Sequence, residues 1–420
     1  MKKVVITNAY TWYNKGDAGI LLGIVNSLKE IYGKKIEINI LSFTPIEDKK
    51  RYCKDTTIKN VYSSILNPYP YKYTFWGKKI AIVKLIIKMM YIYIMLKVNR
   101  KNIVKNNETL KILHESDVII VCGGGFLGGK KYDSLMHLFQ IYVNTLFKSK
   151  VVVMGTSIEP MNKGIIKKYT EKILKKVDYI FAREKITYNY LESFLDNNKF
   201  ELIPDMAFML EDYKETENKI DSFSGNYKYV IGITVRKWNF PNSSNSEKSM
   251  LNYTNTIVET IDYFNKKECI FVFIPQVIVE NGNDIEVAHK IKERLQNKDG
   301  IIVIEDDLTP VELKGLISKC DIFVGTRMHS NIFATSMKVP TVAIAYEKKT
   351  NGIMGTVKLD EYVLEIDQIN SNELINKVEK CLKNRETIKN NLSIIIPEIR
   401  KEIIDKLKEK TKNIDKSGEK

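Results

Sequence analysis

Residues 322–345 read IFVGTRMHSNIFATSMKVPTVAIA. An apolar run at 322–324 stops at Gly325. A helix-compatible stretch follows at 328–337, and a second apolar run, Thr341–Ala345, closes the segment. Strand, crossover helix and strand at this spacing form a βαβ unit with parallel strands. Upstream, apolar runs at 229–234, 270–274 and 301–304 alternate with helical stretches at 248–266, 284–296 and 310–319, and a further helix fits 372–383. The first half repeats the rhythm: runs at 4–7, 36–41, 118–121, 151–154 and 179–182, with a helix at 17–32 after the first. A polar stretch, 211–227, interrupts it and reads as a linker. The pattern predicts an α/β protein of two Rossmann-like, doubly wound domains, 1–215 and 226–395, facing across a cleft. A charged C-terminal helix or tail, 396–420, should fray over 401–420. A length of 420 residues suits two such cores.

Charge and cysteine usage narrow the function classes. Net charge is +15, but only eight of the 66 basic residues are Arg, and the lysines are spread along the chain. No element gathers basic and aromatic residues, so a nucleic-acid partner is not expected. A basic surface suits an anionic substrate or an anionic membrane face. The five cysteines are scattered without CxxC spacing, which argues against a zinc site or a disulfide framework. Met1 leads directly into a strand-like run with no signal peptide before it, so the expectation is cytoplasmic residence. Residues 80–98 are almost wholly apolar but carry Lys84, Lys88 and Lys97, which disfavours a membrane span. Two readings stay open. The segment is either a helix buried on most of its surface or an interfacial helix, flanked by Trp76, Lys78, Lys79, Arg100 and Lys101, at the inner face of the membrane.

Ligands of open α/β sheets bind at the carboxyl ends of the strands, so residues just after each strand are the site candidates. The first is the loop Asn14-Lys15-Gly16-Asp17, where Asp17 is either a helix cap or a group that binds or activates a sugar hydroxyl. The second runs from Gly123, Gly124 and Gly125 to Gly128 and Gly129, either a tightly packed turn or a cradle of backbone N–H groups for an anion or polar ligand. Its spacing fits neither a dinucleotide fingerprint nor a Walker loop. Third, Arg183, Arg236 and Arg327 each follow a strand in a chain whose default cation is Lys. A guanidinium offers a planar fork that grips carboxylate or phosphate through two parallel hydrogen bonds, which a lysine cannot do. Each could instead serve a structural ion pair. Fourth, His329 stands two residues after Arg327 at a helix start, as a cap or as an acid or base beside a bound anion. Lys349, after the next strand, reaches the same anion or is one more lysine of a lysine-rich chain.

Taken in order, Asn14-Lys15-Gly16-Asp17-Ala18, Gly123-Gly124-Gly125, Arg183-Glu184, Pro204-Asp205, Gly232-Ile233-Thr234-Val235-Arg236 and Arg327-Met328-His329-Ser330 resemble the polysaccharide pyruvyl transferase family. The resemblance spans roughly residues 4–357. It implies a GT-B-like fold and transfer of the enolpyruvyl group of phosphoenolpyruvate onto a sugar of a cell-surface polysaccharide or its precursor, leaving a pyruvate ketal. It implies that Arg327 and Arg236 hold the donor and that His329 is the acid; Lys349 and Ser330 are further donor-binding candidates. Asp17 is the candidate base. Asn14, Gly16, the three glycines and Arg183 fall to an acceptor or anion loop. No metal and no cofactor beyond phosphoenolpyruvate as co-substrate is expected, and the acceptor is a sugar or a lipid-linked oligosaccharide. Glu159 departs from the family pattern, which usually has small residues there. The alternatives are a GT-B nucleotide-sugar glycosyltransferase and a non-catalytic member that binds a glycan or a partner.

Overall fold

In the computed structural model the strands of each half wind outward in both directions from a central one. The structure describes residues 1–67, 75–128, 132–161, 164–213, 227–266, 269–279 and 282–416. Most of the linker expected at 211–227, and Gly129 of the glycine-rich turn, lie outside the described residues.

The first sheet holds β1 (Lys2–Ala9), β2 (Ile36–Ser42), β3 (Ile58–Ser63), β4 (Val118–Val121), β5 (Lys150–Thr156), β6 (Tyr179–Ala182) and β7 (Phe200–Leu202), in the order β3-β2-β1-β4-β5-β6-β7. The second holds β8 (Tyr229–Thr234), β9 (Cys269–Phe273), β10 (Ile301–Val303), β11 (Ile322–Gly325), β12 (Thr341–Ala345) and β13 (Val363–Glu365), in the order β10-β9-β8-β11-β12-β13. All neighbouring strands pair in parallel. Both orders are the doubly wound order of the Rossmann fold, so the expected fold class is borne out. Helices cover both faces of such sheets, so the central strands are continuous apolar runs. β4 and β12 are buried along their whole length.

Strands β3, β7 and β13 are absent from the sequence-based reading. All three stand at or next to a sheet edge or are only three residues long, where burial imposes little apolar pattern.

The chain divides into two compact units. One comprises Met1–Trp12, Ile20–Met206 and Glu402–Lys420, and the other Tyr13–Gly19 and Ala207–Lys401. The tail expected to fray is helical: Arg385–Lys416 forms one helix, and Ile403, Ile404 and Leu407 are buried. Apolar residues three and four positions apart line one face of a helix, so this charged segment still docks.

The helix Phe75–Val98 also departs from expectation. It buries a narrow stripe, Ala81, Leu85, Ile92 and Leu96, and leaves most of its other apolar side chains exposed. It is therefore not buried on most of its surface. No helix among the described residues is long and apolar enough to cross a membrane. The side chains of Trp76 and Lys78 lie outside the described residues.

Candidate active site

The second sheet reverses direction where β8 lies beside β11. In open α/β sheets such a reversal opens a ligand crevice at the carboxyl ends of the two strands. Arg236 lies two residues after β8 and Arg327 two residues after β11, so both rare arginines flank this point. A cavity of about 420 Å³ lies there, and its lining includes Arg236, Trp238, Val277, Gly282, Lys290 and Arg327.

The Arg236 guanidinium lies 3.9 Å from the ring centroid of Tyr346 and 4.6 Å from that of Trp238. The two rings meet with centroids 4.9 Å apart. Aromatic faces attract a cation and hold the guanidinium plane in place. Burial lowers the pKa of Arg236, and the positive charge of Arg327 lowers it further. Tyr346, Asp284 and Glu347 offset part of that repulsion, and a bound anion would offset more.

Arg327 is held by Asp284, the first residue of the helix Asp284–Glu293. Its Nε donates to both Asp284 oxygens at 3.2 Å, and its Nη2 donates to the same carboxylate and to Gly282 O at 3.4 Å. Nη1 has no hydrogen bond among the described residues. Asp284 is itself buried and accepts the backbone N–H groups of Gln276 at 3.1 Å and Val277 at 3.0 Å. Burial raises its pKa, while Arg327 and those N–H groups act in the opposite direction. Asp284 thus fixes one edge of the guanidinium.

Ser330 is fully buried; its hydroxyl donates to Arg327 O at 2.6 Å and pairs with Thr234 Oγ1 at 2.8 Å. It fastens the turn after β11 to the end of β8. Lys349 is paired with Glu347.

The turn Tyr13–Gly19 belongs to the same unit. Its chain runs antiparallel to the segment after β9: Lys15 N donates to Gln276 O at 2.9 Å and Ile278 N to Tyr13 O at 3.1 Å. The helix Lys15–Tyr32 is opened by Asn14, not by Asp17. Asn14 Oδ1 accepts the Gly16 N–H at 3.2 Å, Asn14 O accepts the Ala18 N–H at 3.0 Å, and Asn14 Nδ2 donates to Asp17 Oδ2 at 2.6 Å. Lys15 is buried in an ion pair with Asp307. The His329 ring lies against Gly16. A Cβ at Gly16 would sit 2.6 Å from His329 Cγ and closer still to Nδ1. The two segments that carry most of the sequence signal, one at residue 14 and one at residue 327, therefore meet around an imidazole.

This contact makes a testable demand. Gly16→Ala should destabilise the protein by about 1–3 kcal/mol through overpacking. Gly352→Ala, in the helix Lys348–Thr356 with nothing within 4 Å of the added carbon, should be neutral or stabilising. Urea melts of the two variants compare them directly, and equal midpoints would show that the ring does not rest on Gly16.

The remaining candidates sit in the first unit. Gly123 follows β4 so closely on β5 that a Cβ would lie 2.6 Å from both Met154 O and Gly155 O. Ser157 N donates to Gly124 O at 2.9 Å. Gly125 is exposed. Gly123 and Gly124 thus sit in a tightly packed turn. Arg183 is buried, with its Nη1 2.9 Å from Asp205 Oδ2 and its Nε and Nη2 on Ser157 Oγ. Its fork is engaged within its own unit. The same unit holds a buried histidine that sequence reasoning passed over. His137 stacks on Phe126 at 4.1 Å and pairs through Nδ1 with Asn8 Nδ2 at 3.0 Å. Burial pushes its pKa down to about 3, so the ring is neutral at physiological pH.

Sequence reasoning also missed Asp284, Asp307, Trp238 and Tyr346. Asp284 had one available sign, an acid placed directly after the helix-capping Asn283 in the connection that follows β9.

The sequence model of the polysaccharide pyruvyl transferase family matches residues 14–348. The amylovoran biosynthesis protein AmsJ of Erwinia amylovora is 23% identical over 414 residues, covering 93% of this chain and 94% of its own. The putative pyruvyl transferase EpsO of Bacillus subtilis (strain 168) is 32% identical over 97 residues, which is 23% of this chain and 30% of its own. Among solved structures, a putative UDP-N-acetylglucosamine 2-epimerase from Listeria monocytogenes aligns with a TM-score of 0.59 at 14% identity, over 93% of this chain and 90% of that one. This last likeness concerns the GT-B-like fold alone. On the match from Asn14 to Lys348, this chain belongs to the polysaccharide pyruvyl transferase family.

Proposed function

We propose that the protein transfers the enolpyruvyl group of phosphoenolpyruvate to hydroxyls of a sugar in a cell-surface polysaccharide or its precursor and closes a pyruvate ketal. The observation that carries this reading is the pair Arg236 and Arg327, which wall one cavity at the reversal point of the second sheet, the charge of one depressing the pKa of the other. A donor with a carboxylate and a phosphate offsets that repulsion at both ends. Protonation of the donor's methylene carbon makes its central carbon electrophilic. One sugar hydroxyl adds there and phosphate leaves. A second hydroxyl then closes the ketal. Of the two hydroxyl protons released, one replaces the proton placed on the methyl group and the other leaves with phosphate or solvent. His329 is the proposed proton donor and Asp17 the proposed base for a hydroxyl. Arg236 and Arg327 stabilise charge on the departing phosphate. The donor falls to the domain 226–395 and the acceptor, free or lipid-linked, to the domain 1–215. The work proceeds in the cytoplasm, and phosphoenolpyruvate is the sole cofactor-like requirement.

Purified protein should release inorganic phosphate from phosphoenolpyruvate only when an acceptor glycan is present. Donor alone at about 100 times its dissociation constant should raise stability by roughly 2.7 kcal/mol. Arg327→Lys keeps the charge but loses the fork, and should weaken donor binding about tenfold or more. Native donor affinity in that variant would remove the fork from the mechanism. The fold likeness to nucleotide-sugar epimerases supports one rival, a nucleotide-sugar glycosyltransferase. Nucleotide release from a nucleotide sugar, without phosphate release from phosphoenolpyruvate, would establish that rival instead.

A further inference from the structure

The helix Phe75–Val98 carries two apolar stripes on opposite sides. The inner one, Ala81, Leu85, Ile92 and Leu96, is buried in the first unit. The outer one, Val83, Ile87, Met90, Ile94 and Val98, repeats the same spacing two residues further on, which turns it about 200° around the helix. It faces solvent: Ile87 is 60% exposed, Met90 58% and Ile94 50%. Ile80, Ile86, Tyr91 and Tyr93 widen it, so this one helix supplies more than half of the large exposed apolar side chains among the described residues. The inner stripe is committed to the core, so the outer one cannot turn inward. An exposed apolar patch of this kind marks a docking surface.

Charge selects the occupant. Between Asp55 and Glu108 there are ten basic residues and no acidic one. Lys84 and Lys97 are exposed beside the stripe, and the helix Arg100–Asn106 adds Arg100, Lys101 and Lys105, all exposed. A second copy of this chain set against the same patch would bring two faces of one sign together, because a two-fold interface must complement itself. A partner with an apolar interior and a negative surface satisfies both features. We propose that this face lies in the plane of an anionic lipid leaflet, the outer stripe immersed among the acyl chains and the lysines and Arg100 among the headgroups. The lysines that prevent the helix from crossing a bilayer are the groups that hold it at the surface. The inference stands apart from the donor chemistry, since it uses no residue of the second unit.

Vesicle sedimentation of the full chain tests it without donor or acceptor. The protein should sediment with phosphatidylcholine vesicles containing phosphatidylglycerol, and roughly tenfold less with phosphatidylcholine alone or at high salt. Ile87→Glu combined with Ile94→Glu changes two exposed positions, so the variant should fold and melt as the native protein does while its bound fraction falls roughly tenfold. Lys84→Glu with Lys97→Glu should lower binding to anionic vesicles alone. A native protein that stays in the supernatant with both vesicle types overturns the proposal. So does a native dimer that Ile87→Glu with Ile94→Glu converts to monomers with lipid binding unchanged.

Discussion

His329→Ala is expected to lower turnover by about 10²- to 10⁴-fold, the usual contribution of a positioned acid or base, while donor binding persists. The expectation combines two placements. His329 sits in the first turn of the helix Met328–Ser336, whose cap residue is Arg327, so the imidazole and the guanidinium are fixed by one rigid turn. Gly16, from the other end of the sequence, leaves the ring its space. A group held from two sides in this way suits proton delivery to one carbon atom. The proposed function assigns donor affinity to the arginines, so the thermal shift produced by phosphoenolpyruvate should survive in His329→Ala. His329→Gln, which fills the space but cannot act as an acid, should be as impaired as the alanine variant. Turnover within a few-fold of native in either variant would take His329 out of the mechanism. Loss of the thermal shift together with turnover would make His329 a binding group and leave the proton source elsewhere.

The central strands were legible because burial on both faces forces continuous apolar runs, as in β4, β5, β11 and β12. β3 was not: in its sequence IKNVYS the polar Lys59, Asn60 and Ser63 break any apolar run without alternating, and it stands at the sheet edge. At the site, rarity pointed to Arg236 and Arg327, and both line one cavity. Rarity could not tell a fork offered to a ligand from a fork consumed by a buried carboxylate, because both need the same planar donor. Arg327 is partly of the second kind, through Asp284, and Arg183 is held inside its unit by the Asp205 carboxylate and the Ser157 hydroxyl. The acids lie 43 and 22 positions away from their arginines. Nothing in local spacing announces such pairs. The aromatic rings of Trp238 and Tyr346 are hidden for the same reason, since they meet only when β8 and β12 are laid into one sheet.

Arg183 and Asp205 supply the largest expected effect on stability. Both side chains are almost entirely buried, and the pair closes at 2.9 Å. Asp205→Ala would leave a buried guanidinium without its main counter-charge, which costs about 3–5 kcal/mol. Glu184, 3.8 Å from Arg183 Nε and about one-fifth exposed, offsets part of the loss and places the expected value near the lower end. The chain has two units, so its urea transition should be followed with a probe in the first unit, where the cooperative loss occurs. A shift worth less than about 1 kcal/mol would mean that Arg183 finds water or another partner, and the pair would not be structural. The double variant Arg183→Met with Asp205→Leu removes both charges and should recover most of the loss, because an apolar pair of similar volume needs no desolvation of ions. That variant also decides between the two uses of the arginine fork. If it is stable and still transfers onto the acceptor, Arg183 serves the fold alone. If it is stable but inactive with the acceptor while the donor-induced thermal shift is intact, Arg183 belongs to the acceptor-binding machinery, and its bond to Asp205 is what positions it there.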